Sequence, residues 1–353
     1  MIVDNNMHWM PETLFEDETL LNTFLRLPPK EENYHAEIRP IPGSDEKQLT
    51  IDQPLGYTNL NYTNRDVDAA KRIETMDAVR VDRAILRLPC YEEWIDLATA
   101  RRVNDMMAET VQKNPDRLSA LAIVPPWDNK ECRDEMERCV KNLGCVGVEL
   151  AAHYGSRHLD EKEFRPMWKK ITELGVPAVI HHTPLPAEYQ ALYDIDKVRR
   201  SLGRNFSQLI CITRNIFSGL FEEFPDLRVV HSYLAGGFFA FTGVLNMKKS
   251  FSGKVKEEVQ RVTIDANISK NFEKYLEKNL YFDMCHASPW GKEHLEFAVK
   301  TLGADHVLYG SSYPLRLSWT MEGVDFVRSL DISDAEKSLV LGGTAQKLFK
   351  LKS

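Results

Sequence analysis

Short β-branched runs alternate along the chain with longer segments whose apolar residues recur at helical spacing. The runs are Met1–Asp4, Arg83–Leu88, Ser119–Val124, Gly144–Leu150, Pro177–His182, Leu227–Ser232, Asn279–Met284 and Val307–Gly310, each closed by proline, glycine or a polar cluster. Bounded runs of this length read as strands, and the segments Tyr91–Lys113, Asn129–Leu143, Glu161–Leu174 and Lys292–Leu302 read as amphipathic helices. Gly144 and Gly175 directly follow two of these helices, where a left-handed cap favours glycine. Strands that alternate with helices form a parallel sheet under a helical layer, and eight of them is the number that closes a barrel. The pattern therefore predicts the α/β class: a (β/α)8 TIM barrel, with residues 1–353 as one domain.

Two stretches interrupt the alternation. Residues 28–64 carry Pro, Gly, Asn and Tyr without helical period and read as a small insertion after the first strand. A second long connection runs from Pro184 to Pro225 and contains an apolar helix around Leu209–Phe221. Both are expected over the C-terminal mouth of the barrel, where this fold builds its active sites. Residues 334–353 read as a closing helix (Asp334–Leu351), expected on the outside of the barrel and away from the chemistry.

Composition narrows the picture. A chain of 353 residues with 43% hydrophobic content suffices for one barrel of ~250 residues plus insertions. A formal charge of −7 gives no basic footprint, so no nucleic-acid partner is expected. No run approaches the ~18 apolar residues of a membrane span, and the start does not read as a signal peptide. The six cysteines lack a Cys-x-x-Cys pair, which argues against a disulfide framework or structural zinc; a cytoplasmic location is expected.

Polar residues just past the barrel strands converge on one pocket. Strand one offers Asp4, Asn6 and His8; strand two, Arg87; strand four, Glu149; strand five, His181 and His182. Strand six offers His231 and Tyr233; strand seven, Asp283, Cys285 and His286; strand eight, Ser311, Ser312 and Tyr313. Imidazoles at several strand ends suit zinc or proton transfer. A single strand-end histidine is as readily a hydrogen-bonding pocket residue, but His8, His181 and His231 together favour function. His182 follows His181 and is expected to point away from it. His35, His153, His158, His294 and His306 lie in loops or helices and read as structural or solvated. Arg87 fits two roles, a salt bridge within the mouth or a fork for a substrate carboxylate. Glu149 and Asp283 read first as buried hydrogen-bond partners, and Cys285 as a small buried residue. Gly236-Gly237 read as a close helix start rather than a phosphate cradle.

Ordered pieces along most of the chain carry a family resemblance: Val81-Asp82-Arg83-Ala84-Ile85-Leu86, Asn114-Pro115-Asp116-Arg117-Leu118, Phe164-Arg165-Pro166-Met167-Trp168, Gly175-Val176-Pro177-Ala178-Val179-Ile180-His181, Phe224-Pro225-Asp226-Leu227-Arg228-Val229-Val230 and Gly310-Ser311-Ser312-Tyr313-Pro314. In these the chain resembles the amidohydrolase-2 group, which includes aminocarboxymuconate semialdehyde, resorcylate and carboxyvanillate decarboxylases. The resemblance implies a barrel, a homodimer, and a divalent metal held by Asp-x-His-x-His, a strand-five His and a strand-eight Asp. Here the first element is Asp4-Asn5-Asn6-Met7-His8, so Asn6 replaces one histidine while His8 remains. His181 keeps the strand-five position, Ser312 stands for the strand-eight aspartate, and Tyr233 stands where the family has a proton-handling histidine, with His231 two residues earlier.

Asn and Ser are weak replacements for His and Asp as zinc ligands. The expectation is therefore an enzyme acting on a small aromatic or unsaturated carboxylate by decarboxylation or related C–C cleavage, without a tightly bound metal. His8, His181 and His231 are expected to polarise an oxygen or move a proton, Tyr233 to assist as an acid and Ser312 to share the site. Arg87, Asn6, Tyr313 and His286 are expected to bind substrate. Two alternatives stay open: a metal-dependent hydrolase, with zinc or a similar ion on His8, His181 and Asp283 or Glu149, and a barrel that binds small molecules without catalysis.

Overall fold

The computed structural model describes residues 1–183, 189–192, 195, 198–245 and 273–352. The eight predicted strands are present as β1 (Val3–His8), β2 (Arg83–Arg87), β3 (Leu118–Ile123), β4 (Gly147–Ala151), β5 (Ala178–His181), β6 (Val229–His231), β7 (Leu280–Asp283) and β8 (Val307–Leu308). They form one sheet in sequence order, with parallel neighbours. The chain beyond β8 closes the ring onto β1: Asn5 N–H donates to Tyr309 O at 3.0 Å, Ser312 N–H to Asn6 O at 2.8 Å and His8 N–H to Tyr313 O at 2.9 Å.

A strand buried on both faces cannot show polar alternation, which is why these runs are almost continuously apolar. Inside the barrel, Val3, Ile85, Leu121, Val179, Val230 and Leu308 form an apolar layer sealed from below by Ala345, Leu348 and Phe349. Two residues further on, the same inward faces present Arg87, His181 and Ser232, so the interior changes from apolar floor to polar mouth within one pleat.

The closing segment thus departs from expectation. It is broken into Asp334–Ser338, a wide turn at Leu339–Gly343 and Thr344–Phe349, and it plugs the barrel base rather than lying outside. The break lets Gly342 press on the N-terminus, where a Cβ would stand 2.2 Å from Met1 O. The first strand also runs further than Met1–Asp4, to His8, because Asn5 and Asn6 are buried and use their polar groups inside the barrel. The helix after β2 begins at Leu97 rather than Tyr91, capped by the Asp96 side chain on Thr99 N–H at 2.8 Å.

The insertion contains a three-stranded antiparallel sheet, His35–Pro40, Lys47–Asp52 and Thr58–Thr63, preceded by the helix Glu18–Arg26. It is anchored over the mouth, as expected. Tyr62 Oη donates to Pro89 O at 2.6 Å and Arg199 Nη1 to Gln53 O at 3.0 Å. The connection after β5 is described in part: residues 184–188 lie outside the described residues, and the apolar helix runs from Arg204 to Phe217. Among the described residues no helix is long and apolar enough to cross a membrane.

Candidate active site

Several strands end in backbone that L-residues rarely adopt. Cys90 (φ 64°), Tyr233 (55°), Cys285 (56°) and Ser312 (54°) follow β2, β6, β7 and β8 in the left-handed region. Such conformations cost of order 1–3 kcal/mol each and persist where packing over-determines them, commonly at active sites. Here they turn side chains inward around the mouth.

The result is an arc of rings. His8 and His181 meet edge to face with centroids 5.2 Å apart; His181 and His182 are at 4.0 Å; His182 and Tyr233 at 5.1 Å; Tyr233 and His286 at 5.5 Å; His286 and Trp319 at 4.3 Å. Burial holds His8, His181 and His182 well below the usual imidazole range, with Arg87 next in importance for His8 and neighbouring imidazoles for the other two. Burial likewise takes His286 to about 4 and pushes the Tyr233 phenol up. These rings are therefore neutral near pH 7.

Below the arc lies a polar floor. Asn6 Nδ2 donates to Asp283 Oδ2 at 2.6 Å and approaches Cys285 Sγ at 3.3 Å. Cys285 Sγ is 2.8 Å from Ser312 Oγ. Arg87 lies between Glu149 (3.8 Å) and Asp283 (3.7 Å) and donates to Asn5 O at 3.1 Å and Ser232 Oγ at 3.3 Å. Burial raises the carboxyl pKa of Asp283, and that of Glu149 to about 8, against the pull of Arg87. Gly310 is required here, since a Cβ would come within 2.4 Å of Asp283 Oδ1 and 2.6 Å of Asn6 Cβ.

The structure brings together His8, Asn6, His181, Tyr233, His286 and Ser312, and places Tyr313 with His8 on the pocket wall. Three side chains depart from expectation. Arg87 is fully buried and engaged by the floor, so it fills the salt-bridge role and not the substrate fork. His231 faces the covering helix, its Nδ1 3.4 Å from Gln208 Oε1, because Ser232 takes the inward position; burial lowers it to about 3. His182 joins the arc instead of pointing away, because β5 ends at His181 and strand alternation no longer governs it.

Two further side chains at the site lie outside the residues that the sequence singles out. Glu92, five residues past the end of β2, places Oε1 3.1 Å from His181 Nδ1. Arg204, at the start of the covering helix, is 4% exposed, and its charge reaches His8, His181, His182, Tyr233 and His286. Position just past a strand was a signal for Glu92; nothing in the pattern singled out Arg204.

At the His8 end of the arc lies a pocket of about 530 Å³ lined by His8, Trp9, Met10, Tyr62, Lys71, Pro89, Tyr313, Leu315 and Leu317 among others. Its size is that of a small-molecule site. Beneath it, Nε2 of His8, Nε2 of His181 and Oδ1 of Asn6 are buried without a hydrogen-bond partner. Two neutral imidazoles and an amide oxygen are donors that divalent metals accept, so these residues fit a metal, with fewer anionic ligands than zinc sites commonly have.

Comparison with known proteins agrees with this geometry. Residues 61–351 match the model of the family described as Amidohydrolase. A gamma-resorcylate decarboxylase of Polaromonas is 27% identical over 80% of this chain and 87% of its own. A 2-amino-3-carboxymuconate-6-semialdehyde decarboxylase of Dictyostelium discoideum is 25% identical over 72% of this chain and 67% of its own. The solved 5-carboxyvanillate decarboxylase of Novosphingobium aromaticivorans superposes with a TM-score of 0.77 at 21% identity, covering 99% of this chain and 96% of that one. That enzyme was crystallised with manganese and 4-hydroxy-3-methoxy-5-nitrobenzoic acid. The manganese in that related structure overturns the expectation of a site without a tightly bound metal: here the imidazoles of His8 and His181 remain as donors although Asn6 and Ser312 stand in place of family ligands. On the family match over most of its length, and on the barrel that carries it, this chain belongs to the amidohydrolase family.

Proposed function

We propose that this protein decarboxylates a small aromatic acid in the barrel mouth, with Arg204 meeting the carboxylate and His8 and His181 holding a divalent cation. The observation that carries the reading is Arg204. It is a buried guanidinium beside five neutral rings, its Nε has no partner, its contacts to Asn59 are long, at 3.4 Å, and its other hydrogen bond is to the neutral Tyr233 phenol. A buried guanidinium held by neutral groups suits a carboxylate, whose geometry its fork matches.

The pocket supplies the remaining recognition: Trp9, Tyr62, Tyr313, Leu315 and Leu317 offer apolar surface to an aromatic ring. A bound cation supplies Lewis acidity toward a substrate oxygen. Loss of carbon dioxide leaves electron density on the ring carbon, which must gain a proton. His286 is suited to relay it: the ring, kept neutral near pH 7 by burial that takes its pKa to about 4, passes its N–H proton to the carbon while its other nitrogen takes one from water, so the ring ends neutral.

The test is carbon dioxide release from gamma-resorcylate and a panel of hydroxybenzoates by manganese-loaded protein. Release is expected for at least one ortho-hydroxylated acid. Tight binding of these acids with no release from any of them overturns the reading.

A further inference from the structure

Glu92 is buried, 2% exposed, and its Oε1 lies 3.1 Å from Nδ1 of the fully buried His181. The opposite ring nitrogen, Nε2, is buried and has no hydrogen-bond partner. We propose that Glu92 is a positioning residue that fixes His181 as the Nδ1–H tautomer, aiming the Nε2 lone pair at the cation site; the metal part of this inference rests on the function proposed above.

A neutral imidazole has one N–H and one lone pair, and the hydrogen bond made by one nitrogen sets the state of the other. If Glu92 accepts from Nδ1–H, Nε2 keeps its lone pair and faces His8, whose Nε2 is also unpartnered. If Glu92 instead donates to Nδ1, an N–H is stranded at Nε2 with nothing to receive it, and a buried donor left without a partner is costly. Ligating histidines commonly give their second N–H to a carboxylate, which fixes ring orientation and raises basicity.

A rival arrangement uses the same atoms. One donor atom each from Glu92, Glu149 and His181 lies within 4.8 Å of the others, close enough for both carboxylates to bind a cation directly. Glu149 Oε2 accepts from the Leu88 N–H at 3.0 Å and its Oε1 faces Arg87 Nε at 3.8 Å, so both of its oxygens are turned to protein donors, which favours the positioning role.

The experiment pairs two readouts on the full-length protein. Histidine-selective ¹⁵N NMR of chelator-treated protein reports which nitrogen of His181 carries the proton, with His181→Gln assigning the signal. Mn²⁺ titration followed by EPR reports affinity. The wild type is expected to show Nδ1–H. Glu92→Leu is expected to lose that tautomer and to weaken Mn²⁺ binding by about 10–100-fold. Glu92→Gln, which keeps an acceptor, is expected to recover part of both, and Glu149→Gln to change affinity much less. A proton on Nε2 in the wild type overturns the proposal, as does Mn²⁺ affinity that falls equally in Glu149→Gln and Glu92→Gln. If wild-type protein shows Nδ1–H yet binds no Mn²⁺, the metal reading fails while the positioning of His181 by Glu92 stands.

Discussion

The rings of His8 and His181 meet edge to face at 5.2 Å, and each turns toward the barrel mouth a buried Nε2 with no hydrogen-bond partner. These histidines come from opposite halves of the sequence, and strand pairing around the barrel brings them together. His8→Ala and His181→Ala are each expected to lower kcat/KM by about 100-fold or more, with a parallel loss of bound manganese. Elemental analysis beside steady-state kinetics checks this; full activity in either variant contradicts it.

With Arg204 meeting the carboxylate as proposed, its substitutions are expected to separate binding from chemistry. Charged hydrogen bonds contribute roughly 1.5–3 kcal/mol, so Arg204→Gln is expected to raise KM for an aromatic carboxylate by about 10–100-fold. Arg204→Lys keeps the charge but not the fork and is expected to lie between the two. Progress curves with gamma-resorcylate decide it.

His231 gives a pH prediction with a definite sign. Its pKa is near 3 in the fold against an ordinary value of 6.5, so above about 6.5 both folded and unfolded forms are neutral and nothing is lost. As pH falls from 6.5 toward 3 the unfolded chain takes up a proton that the native protein refuses, and stability drops by up to ~1.4 kcal/mol per pH unit. His231→Gln is expected to flatten the decline of Tm between pH 6.5 and 4.5. Because this ring packs against Gln208 on the covering helix, kcat/KM at pH 7.5 is expected to stay within threefold of wild type, roughly.

Phe349 plugs the barrel base, 3% exposed, against the inward layer that includes Val3 and Leu121. Phe349→Ala is expected to cost about 3–5 kcal/mol of stability, read by denaturant unfolding, while manganese affinity is retained below the unfolding transition.

Gly310 stands at the other end of the interior, between Asp283 and Asn6. Gly310→Ala is expected to displace that hydrogen-bonded pair and to cost about 1–3 kcal/mol, with lost activity even in the folded protein. A thermal shift set beside kinetics distinguishes it from Phe349→Ala.

Much of the barrel was legible because buried parallel strands carry continuous β-branched runs such as Val179-Ile180 and Val229-Val230. The end of β1 was not, since Asn5 and Asn6 look like a loop until their buried partners are known. In the insertion, the alternation of Gln48-Leu49-Thr50-Ile51 was masked by the surrounding Pro, Gly and Asn. His8 and His181 could be anticipated from their places at strand ends. His182 and His231 differ from the expectation because strand alternation ends with β5 at His181, and because β6 turns Ser232 rather than His231 inward. Glu92 lies in the loop just past β2, a position that offered some signal, whereas Arg204 lies on a helix and meets the rings only through the three-dimensional fold, which no local pattern encodes.

The most direct test of the central claim follows carboxyl-¹³C-labelled gamma-resorcylate by NMR with chelator-treated protein, before and after manganese is restored. The account predicts labelled carbon dioxide and the decarboxylated phenol only after manganese is added, and none with His181→Ala. Equal release from the chelator-treated and manganese-restored protein, or no release from this or any other hydroxybenzoate despite bound manganese, would contradict it.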